Sequence, residues 1–282
     1  MLDIFIAITI QLLLVVVSFV VFGFVIFFVN KLFYKVLKPK SKIGVYATAF
    51  VGVPIHELSH ALMCIVFGCR ISEIKLFQMD DESGVLGYVV HEGATWRNPY
   101  KMIGQFFIGI APLFCGGMLI YLLYFLLMSN SFWTLSAFFA DFFAEIEGGD
   151  DYLQLLMIYF DGMLFTFENM FSAENFSSIL FYVFLAISMC ISLHMTLSGA
   201  DIKNSTAGLA FIIVLSLVVN TILYFAYPQG MYYLTKVVLK GSSFIIVCMT
   251  LAVALSLFAV VLAAGFDGSK KLIGAIKNRC VK

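Results

Sequence analysis

Long apolar runs recur along this chain and constrain its fold more than any other feature. Six runs are long enough to cross a bilayer as α-helices, which takes about 20 residues each. A helix satisfies its own backbone hydrogen bonds, so it is the structure that such a run adopts in lipid. The sequence therefore predicts an all-α polytopic membrane protein. The predicted spans are approximately residues 4–29, 45–67, 102–128, 179–200, 208–227 and 242–265.

Composition supports a membrane protein. Of the 282 residues, 62% are hydrophobic and 12% are charged, whereas soluble domains are about 45–50% apolar and about 25% charged. The spans occupy nearly the whole chain, which leaves no room for a separate soluble domain. The formal net charge is zero, so the chain has no bulk attraction to nucleic acid.

We divide the chain into four segments. Residues 1–43 hold the first span and a lysine-rich linker, and residues 44–128 hold the second span, a β-hairpin and the third span. Residues 129–177 contain eight acidic residues, many aromatic residues and no Lys or Arg. That pattern predicts amphipathic helices at the membrane surface, broken at Gly148-Gly149. Residues 178–282 hold the last three spans and a basic tail.

The hairpin is predicted directly after the second span. Residues 71–77 and 85–91 partly alternate apolar and polar side chains, and residues 80–84 between them are a turn signal. Two such runs around a turn are typical of a β-hairpin. Its place in the chain puts it beside the end of the second span.

The second span carries a His-Glu-x-x-His motif at His56, Glu57 and His60. Between residues 45 and 68 these are the only side chains that charge readily near neutral pH. Ionisable groups at that depth are costly and usually functional. Two histidines four residues apart share a helix face and can bind one Zn²⁺ ion, with Glu57 as general base for a metal-activated water.

A catalytic zinc site usually has three protein ligands and one open position. We favour Asp201 as the third ligand, because it follows His194 by seven residues near the end of the fourth predicted span, and such positions share a helix face. His194 itself and Asp267 are the alternatives. His194 and Asn204, which lies beside Asp201, are also candidates to bind substrate.

The order of these features resembles the site-2 protease family of intramembrane zinc metalloproteases. Residues 56–60 place His-Glu-Leu-Ser-His in a span, and Gly87-Tyr88-Val89 is similar to the family's Gly-Tyr-Val element. Residues 109–113, Gly-Ile-Ala-Pro-Leu, are similar to its Ala-Gly-Pro-Leu-Ala-Asn stretch, and a later helix carries the aspartate. The resemblance covers about residues 44–205. Residues 194–203 lack the Asn-x-x-Pro and the Asp-Gly that the family has there.

The resemblance implies an enzyme, an intramembrane zinc metalloendopeptidase that cleaves a membrane-embedded or membrane-anchored peptide. It implies Zn²⁺ as the cofactor, with His56, His60 and Asp201 as ligands and Glu57 as the catalytic base. A catalytically inactive membrane protein on the same scaffold, acting as a binding or regulatory module, is the alternative. The intact motif argues against it, because such a scaffold has no need of Glu57.

The resemblance also implies that the hairpin binds substrate. Gly87 and Tyr88 would hold an unwound segment by strand addition. The expected partners are a membrane protein or peptide substrate and the lipid bilayer, without nucleic acid. A homo-oligomer or a regulatory partner stays open.

Two other classes of membrane protein fit the sequence less well. A transporter would show charged residues on several spans or broken-helix repeats. A prenyl-protein type of zinc peptidase would need a Glu ligand on a later span, and spans three to six hold none.

The distribution of Lys and Arg predicts the orientation of the chain in the cell membrane of a bacterium. The basic tail and the lysine-free acidic segment together place both termini in the cytoplasm. Two loops disagree, because this arrangement puts outside both the five lysines of the linker after the first span and Lys236 and Lys240 before the sixth.

Overall fold

The computed structural model describes residues 2–37, 41–79, 85–93, 98–148 and 152–280, with some helical residues, 267–280 among them, described by their backbone alone. Helices predominate, and one small sheet follows the second helix. The turn predicted at residues 80–84 lies outside the described residues. In chain order the elements are α1 (Leu2–Val36), α2 (Ser41–Val66), β1 (Ile71–Lys75), β2 (Tyr88–His91), α3 (Pro99–Gly109), α4 (Ala111–Leu127), α5 (Ser129–Gly148), α6 (Tyr152–Met170), α7 (Ala173–Phe176), α8 (Ile179–Ser192), α9 (Gly199–Ala226) and α10 (Pro228–Cys280).

Several of these helices are long and apolar enough to cross a membrane. The described chain has four such helices, or five if α3 and α4, which bend by 64° where they meet, count as one span. The chain is therefore a multi-pass membrane protein with fewer candidate spans than the six predicted. The four are Ile8–Val36, Gly44–Val66, Gly199–Ala226 and Pro228–Phe266.

The prediction of a fourth span at residues 179–200 was wrong. Helix α8 ends at Ser192, and its 14 residues extend only about 21 Å, too short to cross a bilayer alone. Residues 193–198 are not helical, and α9 begins at Gly199. A capping box starts this new helix: Asp201 N–H donates to Ser198 Oγ at 3.2 Å and Ser198 N–H donates to Asp201 Oδ2 at 2.8 Å. The fifth predicted span, residues 208–227, is the later part of α9.

The third predicted span, residues 102–128, forms two helices rather than one. Helix α3 ends at Gly109, and α4 begins at Ala111 after a bend of 64°. Pro112 explains the bend, because it has no N–H to donate to the carbonyl of Ile108 four residues earlier.

The predicted hairpin is confirmed. Strands β1 and β2 are antiparallel, with Ile71 opposite His91 and Lys75 opposite Tyr88. The hairpin stays close to α2, since the ring of Phe77 lies 6.0 Å from that of Phe50.

The acidic segment, for which one or two helices were predicted, forms α5, α6 and the short α7. Helix α5 ends at Gly148 at the predicted break, and α6 begins at Tyr152. The two helices pack together, with the rings of Phe138 and Phe165 stacked at 4.2 Å. They also contact α10, where the Tyr159 hydroxyl donates to the carbonyl of Leu239 at 3.0 Å.

Helices α1 and α10 run in the same direction. Gln11 Nε2 donates to Thr235 Oγ1 at 2.8 Å, and Phe33 packs with Ala259 and Ala263 further along both helices. Their C-terminal ends therefore point the same way. Helix α9 runs in the opposite direction, because Asn220 near its end bonds to Gln11 at 2.9 Å, while its first turns face the middle of α1.

Helices α3 and α9 touch backbone to backbone. A Cβ on Gly109 would lie 2.5 Å from the carbonyl oxygen of Asp201, and a Cβ on Gly208 would overlap the backbone nitrogen of Phe106. Glycines permit this approach because they carry no side chain. The contact fixes the start of α9, and with it Asp201, against α3.

We predict that Gly208→Ala destabilises the protein, whereas Gly265→Ala does not. The added methyl group at Gly208 must push α3 and α9 apart, which costs about 1–3 kcal/mol and corresponds to a fall in melting temperature of roughly 2–12 °C. Nothing lies within 4 Å of a Cβ on Gly265, and alanine is the better helix former there. Thermal unfolding of the purified proteins measures both. Equal melting temperatures would contradict the tight contact.

Candidate metal centre

His56 and His60 face the same way from adjacent turns of α2. Their Nε2 atoms are 3.3 Å apart. His60 is buried and His56 is half-buried. The helix period produces this pairing, because side chains four residues apart lie on one face.

Each histidine ring is oriented by a backbone carbonyl from another part of the chain. His56 Nδ1 donates to the carbonyl of His194 at 2.7 Å, and His60 Nδ1 donates to the carbonyl of Ile108 at 2.8 Å. A carbonyl oxygen only accepts, so both rings carry their proton on Nδ1. Both Nε2 lone pairs are therefore free, as metal ligation through Nε2 requires.

Both carbonyls are available because a helix is interrupted at each. Pro112 cannot donate to Ile108, so that oxygen lacks its usual partner within the helix. His194 lies in the non-helical segment 193–198, which follows the end of α8. The bend between α3 and α4 and the break between α8 and α9 thus each provide one acceptor.

Asp201 completes a group of three. Its Oδ1 lies 3.3 Å from His60 Nε2 and its Oδ2 lies 4.0 Å from His56 Nε2. Ligand atoms about 2.0–2.2 Å from a tetrahedral zinc ion are about 3.3–3.6 Å apart, which is close to this spacing. His56, His60 and Asp201 could therefore hold a metal ion, as their atoms and donor types fit one.

His194 and Asp267 were the alternatives to Asp201 as the third ligand. The His194 ring turns to α2, where its Nε2 lies 2.9 Å from Thr48 Oγ1, and the residue meets the centre through its carbonyl. The argument that His194 and Asp201 share a helix face was wrong, because the helix breaks between them. Asp267 lies in α10, with its side chain outside the described residues.

Glu57 lies where α2 meets the hairpin. Its side chain is buried, with 7% of the residue's surface exposed. A Cβ on Gly87 would lie 2.9 Å from Glu57 Cγ and 2.8 Å from Val53 Cγ1. Only a glycine lets the hairpin backbone approach the motif this closely.

The base of the hairpin is fastened to α3. Lys101 Nζ donates to Glu92 Oε2 at 2.7 Å, and the backbone N–H of Arg70 donates to the same oxygen at 3.2 Å. The hydrogen bond from Lys101 lowers the pKa of the Glu92 carboxyl below its usual value. The pair is exposed, so it orients the hairpin more than it stabilises the fold.

The remaining candidates for substrate binding are Tyr88 in β2 of the hairpin and Asn204 in α9. The Tyr88 hydroxyl donates to Glu73 on the opposite strand. Asn204 is half-buried in α9, three residues after Asp201.

Sequence reasoning missed several residues that build the centre. Ser198 holds Asp201, and the pattern Ser-x-x-Asp before an apolar run is a recognisable capping signal. Pro112 entered the sequence analysis as part of the stretch at residues 109–113, but its missing N–H also frees the carbonyl that His60 uses. Thr48 and Gly52 gave no sequence signal, since their role depends on contact with α8 and the segment that follows it.

No protein-family model, curated protein or solved structure matches this chain.

We predict that the purified protein binds one zinc ion per chain and that His60→Ala or Asp201→Ala lowers zinc affinity by more than about 100-fold, beyond the effect of losing an outer partner. Metal content and competition with a chelator measure this. Asp161→Ala, at an exposed position of α6, is the control and should keep the metal. Full zinc binding by Asp201→Ala would exclude Asp201 as a ligand.

Proposed function

We propose that this protein is an intramembrane zinc metalloendopeptidase, similar to the site-2 protease family. The observation that carries the proposal is the grouping of His56, His60 and Asp201 beside Glu57 on an apolar helix. Three ligands leave a fourth position for reacting molecules, as in catalytic rather than structural zinc sites.

Zinc is the metal that best suits these donors. Two imidazoles and one carboxylate at near-tetrahedral spacing are a common catalytic zinc set. When bound, zinc supplies Lewis acidity, which polarises a carbonyl and makes a water molecule more acidic. The ring orientation imposed by Ile108 and His194 serves the same end, because it aims both Nε2 lone pairs at one point.

Glu57 is the base in this proposal. It follows His56 directly, so its carboxylate starts from the turn that carries the ligands. It takes a proton from water as the peptide bond is attacked and delivers a proton to the leaving amine. Its burial keeps it apart from bulk solvent, where it would lose much of its electrostatic effect.

The membrane setting of the centre and the neighbouring hairpin indicate the class of substrate. A helix in a membrane satisfies its own backbone groups, so a transmembrane substrate must unwind before a peptide bond can be attacked. The two-stranded sheet offers unpaired outer edges that can hold such a segment. Because Gly87 touches Glu57, a strand added near this point would lie next to the base. Exposed Ile74, Met79 and Val90 suit an apolar peptide.

We predict that Glu57→Gln retains zinc but lowers cleavage of membrane-peptide substrates by at least about 10²–10⁴-fold, the usual contribution of a general base. The amide keeps the size of the carboxylate and cannot take the proton. Glu168→Gln, at an exposed position on α6, is the matched control and should keep full activity.

The assay is cleavage in proteoliposomes, with metal content measured on the same samples. Unchanged cleavage by zinc-loaded Glu57→Gln would refute the mechanism. A wild-type chain that binds zinc without cleaving any membrane peptide would favour the inactive binding module.

We also propose an orientation that differs from the one expected from the sequence. Helices α1 and α10 run parallel, so their C-terminal ends, near which the two basic regions begin, are at the same end of the protein. Placing both regions in the cytoplasm removes the conflict at the five-lysine linker and puts the N-terminus on the other side. The basic residues concerned are Lys31, Lys35, Lys38, Lys40 and Lys42 in the first region, and Lys270, Lys271, Lys277, Arg279 and Lys282 in the second. Lys236 and Lys240, in the first part of α10, stay outside in this orientation.

The acidic segment agrees with this orientation. Phe142 of α5 and Tyr159 of α6 pack with Leu239, which lies in the first part of α10. The end of α5 and the start of α6 are thus nearest the opposite end from the basic regions.

We predict that, in intact bacterial cells, a C-terminal green fluorescent protein fluoresces while an N-terminal peptide tag is accessible to antibody from outside. Green fluorescent protein exported unfolded does not fluoresce, so its signal reports a cytoplasmic C-terminus. Lysed cells serve as the control for tag exposure. An N-terminal tag that is reached only after lysis would overturn the orientation.

A further inference from the structure

We propose that Thr48 and the His194 ring form a positioning pair, which holds in place the carbonyl oxygen that orients His56. The pair does not touch the metal ligands' donor atoms and acts through the His194 backbone. The inference rests on the metal-binding part of the proposed function and does not depend on proteolysis.

The neighbours of the Thr48 hydroxyl bear on the protonation of the His194 ring. Thr48 Oγ1 lies 3.0 Å from the carbonyl of Gly44 and 3.2 Å from that of Val45, and 2.9 Å from His194 Nε2. A hydroxyl has one proton, and the carbonyls can only accept it. In the proposed pair the Thr48 proton points to one of these carbonyls, and Thr48 accepts a hydrogen bond from His194 Nε2–H.

The pair belongs to one stripe of α2. Thr48, Gly52 and His56 are spaced four residues apart, so they lie on the same face of the helix. Thr48 binds the ring of His194, Gly52 makes room for it, and His56 donates to its carbonyl. A Cβ on Gly52 would lie 2.5 Å from His194 Cδ2, so the ring sits directly against the helix.

Helix α1 also donates side-chain hydrogen bonds to the carbonyls at the end of α8. Asn30 Nδ2 donates to the carbonyl of Ser192 at 3.0 Å, and the Tyr34 hydroxyl donates to the carbonyl of Leu193 at 3.4 Å. With the bond from His56, three successive carbonyls at the end of α8 accept side-chain hydrogen bonds. The last carbonyls of any helix lack partners within it, and here those partners come from α1 and from the metal-binding helix.

Loss of the Thr48 hydroxyl should therefore lower the affinity for the metal. Without an acceptor, the Nε2–H of His194 is left unpaired in an apolar setting, which is costly. The ring then reorients and moves its own carbonyl relative to His56 Nδ1. Outer partners of this kind typically contribute 10–100-fold to metal affinity.

We predict that Thr48→Val lowers zinc and cobalt affinity by about 10–100-fold and shifts the visible absorption bands of bound Co²⁺, which report ligand geometry. Thr48→Ser keeps the hydroxyl and should restore both. Thr250→Val is the control: Thr250 also lies on a helix, is buried, and its hydroxyl bonds the carbonyl of Ile246 in the same helix. Thermal unfolding of each variant checks that it is folded.

Wild-type affinity and an unshifted cobalt spectrum in Thr48→Val would overturn the positioning pair. Failure of Thr48→Ser to restore them would do the same. If the wild type binds no metal, both the pair and the proposed function are wrong. A wild type that binds metal but cleaves nothing removes the proposed protease and leaves the pair intact.

A measurement without variants covers the case in which Thr48→Val does not fold. The ¹⁵N chemical shifts of the wild-type histidine rings distinguish the two neutral forms. His194 should carry its proton on Nε2, and His56 and His60 on Nδ1. A proton on Nδ1 of His194 would contradict the proposed hydrogen bond.

Discussion

Hydrogen bonding of the buried histidine N–H groups is the constraint on which the rest of the centre depends. Each imidazole must donate from Nδ1 if Nε2 is to face a metal, and an unpaired donor in an apolar interior is costly. Regular helices use nearly all of their own carbonyls. The fold meets the need with two interruptions, one at the proline bend that frees Ile108 and one after α8 that exposes His194.

Asp201 shows how the same interruption also positions the candidate third ligand. The non-helical segment ends in a capping box, in which Ser198 N–H donates to one carboxylate oxygen. The other oxygen faces His60. The side chain is thus directed toward the histidines by its own hydrogen bond.

The sequence predicted what local patterns encode and missed what tertiary contacts decide. The motif and the hairpin followed from residue types and spacing, whereas Asp201 was chosen on a helix-face argument that the break before Gly199 removes. Ser198 and Asp201 form a capping signal that could have predicted the break before Gly199. The apolar pattern on both sides led instead to the prediction of one span over residues 179–200. The carbonyl acceptors were beyond sequence reasoning, because they depend on how closely Gly52 lets α8 approach α2 and how closely Gly109 lets α9 approach α3.

The parallel packing of α1 and α10 has a consequence for how the protein is made. Gln11 and Thr235 are 224 residues apart, and α1 packs more extensively on α10 than on any other described element. During synthesis, which begins at the N-terminus, α1 therefore enters the bilayer long before its main partner exists. All residues of the metal centre have been made by then. Helix α10 is thus added after all the candidate metal ligands have been made, and it completes the packing of α1.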